Sequence, residues 1–426
     1  MSIATAKEGS ITIPLMDLLM ALSSVTDLVS TQVANHHRRV MYITAELARE
    51  LSLDAEQAQC GIIAAALHDI GAFSARERED ILSCDTLHPQ RHAEIGYLLF
   101  RECAPFTCIS ELIRYHHVPW ANGAGTAVDG EAVPLGSHLV HLADRIDVAI
   151  KKSEYVLGQV AAIKEQIQRA AGELFYPEYV EAFLRLAERE YFWLDIQSPA
   201  IDAIIRRRVL LPVLELELAD AINLSRQLSH LVDYKSPFTS THTAGVAAVS
   251  TALAEHVSLG REEKLYLEMA AYLHDLSKLA IPAEILEKPA GLTPVEYDVI
   301  RSHAYHTRRV LEAIPGFETV ADWAASHHEH LDGGGYPFHQ REMSLGARII
   351  AVADVFTAIT ENRPYRPGLP QEKVQLILGG MAEQNKLDGF LVSVILESFE
   401  RFNLLRQQTQ NDAEAEYQQL KQLAAA

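Results

Sequence analysis

The sequence predicts an all-α protein made of two tandem copies of one helical domain. Three observations carry that expectation. Apolar residues recur at i, i+3 and i+4 through long segments, alternating strand-like runs are scarce, and a set of histidines and aspartates repeats in register along the two halves of the 426-residue chain.

In order along the chain, the stretches LMDLLMALSSVTDLVSTQV (15–33), VMYITAELARELSL (40–53) and KEQIQRAAGELF (164–175) read as amphipathic helices. The same periodicity returns in GVAAVSTALAEHVSL (245–259) and EYDVIRSHAYHTRRVLEAI (296–314). Breakers gather around Pro199, Pro212 and the segment DYKSPFTST (233–241). Between them VLELELADAINLSRQLSHLV (213–232) reads as the helix that opens the second domain, so the division is drawn as 1–205 and 206–426. The last segment, 407–426, is polar and alanine-rich and reads as a solvated terminal helix with no chemistry of its own.

Composition narrows the class. A hydrophobic share of 48% and a length sufficient for two cores describe a soluble globular protein. The first twenty residues lack a basic start, apolar run and cleavage site, and no uninterrupted apolar run reaches eighteen residues. The expectation is a cytoplasmic protein with no membrane association. Cys60, Cys84, Cys103 and Cys108 form no C-x-x-C pair, which argues against a zinc ribbon or redox motif and suits a reducing compartment. A net charge of −20 argues against a nucleic-acid polymer as partner. A small phosphate-bearing ligand stays open, because divalent metals invert the local field of an acidic protein.

The repeat lies in the histidines. His242, His274-Asp275, His303, His327-His328 and Asp354 are separated by 32, 29, 24 and 26 residues, the last counted from His328. His36, His68-Asp69, His92, His116-His117 and Asp144 are separated by 32, 24, 24 and 27. Ten of the nineteen histidines fall into this register, too many for chance, and internal duplication follows. AALHDIGAF (65–73) matches AYLHDLSKL (271–279), and HLADRIDVAI matches AVADVFTAIT. A lone histidine is usually a surface or satisfied core residue, and His256 and His339 keep that reading. The ordered set does not.

Imidazoles and carboxylates converging from several rigid elements suit a hard or borderline divalent metal. An adjacent His-Asp pair at a helix end can send both side chains to one site, with the carboxylate between two ions. Two such ions lower the pKa of a water between them and stabilise the leaving oxygen of a phosphoester.

These residues resemble the HD superfamily of metal-dependent phosphohydrolases. In the second half, HDLSKLAIPAEIL followed by HHEHLDGGGYP, and then AVADVFTAITENRPYRP, is similar to the HD-GYP family of cyclic dinucleotide phosphodiesterases over about 230–405. The resemblance implies His242, His274, Asp275, His303, His327, His328 and Asp354 as metal ligands, with Asp275 bridging and catalytic. It implies Lys278 as the catalytic cation at the scissile phosphate, Gly335, Tyr336 and Pro337 as the signature loop, and Arg363 and Arg366 as further substrate-phosphate contacts. Ser277 and Asn362 depart mildly from the pattern. Phe238 stands where some members carry a glutamate for a third metal, so two divalent ions per catalytic site are expected, iron or manganese.

The first half resembles a generic HD domain over 30–150, with His36, His68, Asp69, His92, His116, His117 and Asp144 as its own metal set. Ala72 replaces the lysine there, and HHVPWANGAG lacks the Gly-Tyr-Pro ending. This copy is read either as a relic serving regulation or dimerisation, or as a site that removes the 5′ phosphate its partner domain creates, a 5′-nucleotidase.

The expected function is hydrolysis of a bacterial cyclic dinucleotide, cyclic di-GMP or 3′,3′-cyclic GMP-AMP, to the linear 5′-phosphorylated dinucleotide. The rival reading is a cyclic-dinucleotide sensor that signals through protein partners without hydrolysis. A homodimer is a further open partner. The ligand set does not choose the purine or the metal.

Overall fold

The computed structural model describes residues 10–27, 34–72, 90–103, 106–235, 241–286, 288, 290–362 and 367–423. Contacts divide the chain into two compact units. One runs from Pro14 to Val213; the other runs from Leu214 onward and takes in the strand that precedes Pro14. Both are helical. The first unit carries Leu15–Asp27, His36–Glu50, Ala55–Leu67, Gln90–Phe100, Thr107–Arg114 and Leu135–Ala149, followed by Val160–Arg169, Pro177–Leu186, Glu190–Ile196 and Ile201–Arg208. The second carries Leu218–Lys235, His242–Ala254, Arg261–Leu273, Pro294–Leu311, Glu318–Ala325 and Leu345–Thr360, followed by Gln371–Glu383, Gly389–Glu397 and Phe399–Leu423. Among the described residues no helix is long and apolar enough to cross a membrane.

Local chemistry sets the helix starts. Asp54 accepts the Gln57 amide at 2.8 Å and opens Ala55–Leu67. Thr293 and Glu296 exchange side-chain and backbone hydrogen bonds around Pro294, a capping box that opens Pro294–Leu311. Apolar faces then bury against one another, as Val40, Met41, Ile43 and Leu47 do on His36–Glu50.

The helices Leu135–Ala149 and Leu345–Thr360, here called closing helices, both begin Leu-Gly. A Cβ at Gly136 would stand 2.8 Å from Leu112, and one at Gly346 only 2.2 Å from the Trp323 ring. Glycine therefore lets each closing helix lie directly on the helix that leads into the His-His pair. That approach aims Asp144 and Asp354 at their histidines.

The structure departs from the periodicity reading in three places. Residues 213–217, expected as helix, form the strand Val213–Glu217, which pairs with the strand Ser10–Pro14. Val-Leu-Glu-Leu-Glu alternates, and Leu216 is buried between exposed Glu215 and Glu217. The helix expected over 164–175 starts at Val160 and stops at Arg169, after which the chain turns back and the Gly172 amide donates to Phe175 O at 2.9 Å. The helix expected over 15–33 is present over Leu15–Asp27, and residues 28–33 lie outside the described residues. The terminal segment from Gln407 is mostly exposed, as expected, but Gln410 and Tyr417 are buried.

Candidate active site and metal centres

In the second unit the chain ends of three helices converge. His242 opens His242–Ala254, His274-Asp275 follow Arg261–Leu273, and His327-His328 follow Glu318–Ala325. His303 and Asp354 come from the middle of Pro294–Leu311 and of the closing helix. All but His328 are buried.

Asp275 lies at the centre and divides its oxygens. Oδ2 faces His274 Nε2 at 3.2 Å, while Oδ1 faces His303 Nε2 at 3.2 Å and His327 Nε2 at 3.8 Å. On the far side Asp354 Oδ1 meets His242 Nε2 at 2.9 Å, and Asp354 Oδ2 stands 3.9 Å from His328 Nδ1. Three overlapping groups could each hold a metal ion: His242, His274 and Asp354; His274, Asp275 and His327; and His303, His327 and His328.

The donor chemistry fits an ion. The Nδ1–H groups of His274, His303 and His327 donate to Ala271 O, Ile300 O and Ala324 O at 2.7, 2.6 and 2.6 Å. A carbonyl can only accept, so each ring is fixed in the tautomer whose Nε2 lone pair points inward. His274 Nε2 and Asp275 Oδ1 are buried without a hydrogen-bond partner. Unpaired buried acceptors are costly, and an ion is the partner that would satisfy them together. Burial, reinforced for His327 by the neighbouring imidazoles, keeps His327 and His328 neutral, His328 being lowered to about 3. Burial opposes ionisation of Asp275 too, yet its contacts with the His274 and His303 imidazoles and with the Lys278 ammonium hold its carboxyl well below the usual range.

Lys278 sits on the short 3-10 turn Leu276–Ala280 and donates from Nζ to Asp275 Oδ2 at 2.6 Å. The signature loop stands beside His328. A Cβ on Gly335 would lie 2.4 to 2.5 Å from His330 N, Glu329 Cα and His328 O, so the backbone passes here only because the residue is glycine. The Tyr336 amide donates to His328 O at 3.0 Å, and the Tyr336 ring lies 4.7 Å from the His328 ring with Arg301 4.8 Å over its face. Pro337 completes the turn in the cis form. Arg363 and Arg366, like Phe238, lie outside the described residues.

The first unit repeats the pattern. Asp69 Oδ2 faces His68 Nε2 at 3.2 Å and His36 Nε2 at 3.7 Å, while Oδ1 faces His92 at 3.1 Å and His116 at 3.6 Å. His117 Nε2 lies 3.0 Å from His92 Nε2, and Asp144 Oδ1 is 3.4 Å from His36 Nε2. His68 and His116 again donate from Nδ1 to carbonyls three residues back, Ala65 O and Ile113 O. His36 Nε2, His68 Nε2, Asp69 Oδ1 and Asp144 Oδ1 are buried without hydrogen-bond partners. Asp69, His92, His116 and His117, and separately His36, His68 and Asp69, could hold a metal. All seven residues expected from the register are brought together in each unit.

Three partners escaped the sequence reading. His36 Nδ1 is 2.7 Å from Asp147, and His242 Nδ1 is 3.1 Å from Glu361, buried carboxylates one and two helical turns beyond Asp144 and Asp354. Burial alone would discharge both imidazoles. In His36 the carboxylates of Asp144 and Asp147 raise the pKa to about 9, and in His242 those of Glu361 and Asp354 raise it to about 10. The i+3 and i+7 spacing on the closing helix was the available signal. The third is Glu329, fully buried, which accepts the Phe338 and Gln340 amides at 2.6 and 2.9 Å and ties the signature loop down.

Comparison with known proteins agrees with this geometry. Residues 33–149 and 226–391 each match a family model described as an HD domain. The chain is 29% identical over 403 residues to 3′3′-cGAMP-specific phosphodiesterase 1 of Vibrio cholerae, covering 91% of this chain and 92% of that one. It is 33% identical over 172 residues to a cyclic di-GMP phosphodiesterase of Thermotoga maritima, covering 38% of this chain and 47% of that one. A solved cyclic GMP-AMP specific phosphodiesterase of Vibrio cholerae shares the fold, with a TM-score of 0.63 at 24% identity over 92% of this chain and 98% of that one. HD domains are metal-dependent, and both clusters offer the His and Asp donors such domains use. The chain therefore belongs to the HD superfamily, as an all-α tandem of two HD domains whose second copy is of the HD-GYP type.

Proposed function

We propose that this protein is a metal-dependent phosphodiesterase that opens a bacterial cyclic dinucleotide to the linear 5′-phosphorylated dinucleotide in its second unit. One observation carries the reading: within one buried centre, a carboxylate is shared between two sets of imidazoles and also accepts from a lysine ammonium at 2.6 Å. His242, His274, Asp275 and Asp354 would hold one ion and Asp275, His303, His327 and His328 a second. Iron or manganese suits these donors, and when bound the pair supplies Lewis acidity and an activated water.

The side chains do the rest. Backbone-anchored imidazoles keep their lone pairs inward without reorganisation. Lys278 places a fixed positive charge beside Asp275, where negative charge develops on the phosphate oxygens as the 3′ oxygen leaves. Gly335, Tyr336 and Pro337 form a wall against which the substrate is positioned, and Arg363 and Arg366 are assigned to its phosphates.

The likeness to the cGAMP-specific relative runs through both units, whereas that to the cyclic di-GMP relative spans 172 residues. This favours 3′3′-cGAMP over cyclic di-GMP as substrate. For the first unit the proposal is removal of the 5′ phosphate so created. The alternative role, regulation, would bring a homodimer or a signalling protein as partner. A cytoplasmic location fits a substrate of this class.

The test is to incubate manganese-loaded protein with each cyclic dinucleotide and identify products by mass. A linear product from 3′3′-cGAMP is expected. Turnover of none would replace the enzyme by a sensor.

A further inference from the structure

The two closing helices align residue by residue on Asp144 and Asp354. Along the shared face His141 stands where the second copy has Ala351, and Arg145 where it has Val355. Both differences put polar groups into the first cluster alone. Arg145 donates to Asp144 Oδ2 from one terminal nitrogen at 2.6 Å and from Nε at 3.0 Å, while Asp144 Oδ1 stays turned toward His36 without a hydrogen-bond partner. The His141 ring is 93% buried by exposure, its centroid 6.2 Å from that of His117, and its Nδ1 has no hydrogen-bond partner.

The second cluster has its cation on the central carboxylate, Lys278 at 2.6 Å from Asp275. The first has Ala72 at that position and a cation on its other carboxylate, at the same distance. We infer that Arg145 is the phosphate-binding cation of the first cluster, relocated from the His-Asp turn to the closing helix, with His141 as a second donor beside it. The ligand class is a terminal phosphate. A lysine point charge suits a diester with two non-bridging oxygens, whereas the planar guanidinium fork matches the several oxygens of a monoester dianion. His141 supports this, because its ring is buried beside the cluster with Nδ1 left unpartnered. The inference rests on reading the first unit as a 5′-phosphate site and names the residues that would hold that phosphate.

The experiment uses the full chain with His274→Ala and Asp275→Ala, which disables the second cluster. Manganese content is measured by elemental analysis and inorganic phosphate is titrated by calorimetry. The parent should bind phosphate only when manganese is present. Arg145→Ala should weaken that binding roughly 10- to 100-fold, the value of one charge-assisted contact, and leave manganese content unchanged. Arg145→Lys should recover part of the loss, and Arg145→Gln guards against misfolding of the alanine variant. Phosphate affinity within twofold of the parent in Arg145→Ala, or loss of manganese together with phosphate, would overturn the assignment, the latter making Arg145 a brace for Asp144. Absence of phosphate binding in the parent would also overturn it while leaving ring opening by the second unit untouched. Binding without release of phosphate from the linear dinucleotide would keep Arg145 as a phosphate ligand and remove only the 5′-nucleotidase reading.

Discussion

Gly335→Ala is the sharpest probe of the signature loop. The added methyl would meet His330 N at 2.4 Å, Glu329 Cα at 2.5 Å and His328 O at 2.5 Å. All three are backbone atoms, so no side chain can swing aside. Real contacts of this kind begin near 3.0 Å, so the strands of the loop must part by at least about 0.6 Å and by about 1 Å for an unstrained fit. The His328 carbonyl that must move also accepts the Tyr336 amide, and the adjoining Glu329 carboxylate holds Phe338 and Gln340. Overpacking of this kind costs about 1–3 kcal/mol, and a displacement near 1 Å at a reacting centre lowers turnover about 100-fold. The assay is hydrolysis of 3′3′-cGAMP at saturating manganese, with thermal unfolding alongside. Gly379→Ala is the control: it lies in the helix Gln371–Glu383 with nothing within 4 Å of its added methyl, and should stabilise by about 0.5–1 kcal/mol without touching rate. Activity of Gly335→Ala within threefold of wild type would refute the claim that this backbone approach positions the site.

Three further outcomes follow from the same geometry. Lys278→Ala should keep its metal and lose about 10²–10³-fold in turnover, the cost of one transition-state donor; loss of metal, measured by elemental analysis, would contradict that role. Glu361 and Asp354 hold His242 at about 10 against its burial, so at neutral pH it is protonated until a metal displaces the proton. Metal affinity should therefore rise with pH up to about 10, with a proton released on uptake in calorimetry across buffers of different ionisation enthalpy. Glu361→Gln should shrink that release, and an unchanged release would refute the linkage. The double variant His68→Ala, Asp69→Ala should still open the ring but accumulate the phosphorylated linear dinucleotide, seen by mass; equal phosphate release from variant and wild type would remove the first cluster from that step.

Much of the fold was legible because helical periodicity and the His-Asp register are both local signals. Each His-Asp pair ends an apolar helix, where the last turn aims both side chains inward, so spacing along the chain translated into convergence in space. The misses have physical causes. Five residues suffice for a strand, and Val213–Glu217 continues directly into a helix of compatible composition, so a 3.6-residue window absorbed it. The buried positions of the terminal segment went unread because they sit among exposed polar neighbours and one is itself polar: Gln410 donates to Glu361 at 3.1 Å. Composition records polarity, not whether a polar group has a partner.

The carboxylates behind the first histidines explain why register alone could not find the whole site. Aligned on the closing helices, Asp147 faces Thr357 in the second copy, and Glu361 faces Lys151 in the first. Position is not what the copies share. What they share is an acceptor on Nδ1 of the opening histidine, 2.7 Å away in one and 3.1 Å in the other, supplied from whichever turn of the closing helix can reach it. The neighbours have adjusted accordingly. Asp147 is balanced by Arg39, at 3.0 Å from a terminal guanidinium nitrogen, whereas Glu361 receives an amide from Gln410. Both carboxylates thus have a guanidinium acting on them, Arg39 by direct hydrogen bond to Asp147 and Arg406 through its charge on Glu361. In each copy the buried acceptor on Nδ1 of the opening histidine raises the basicity of Nε2, the ring atom turned toward Asp144 in one cluster and Asp354 in the other.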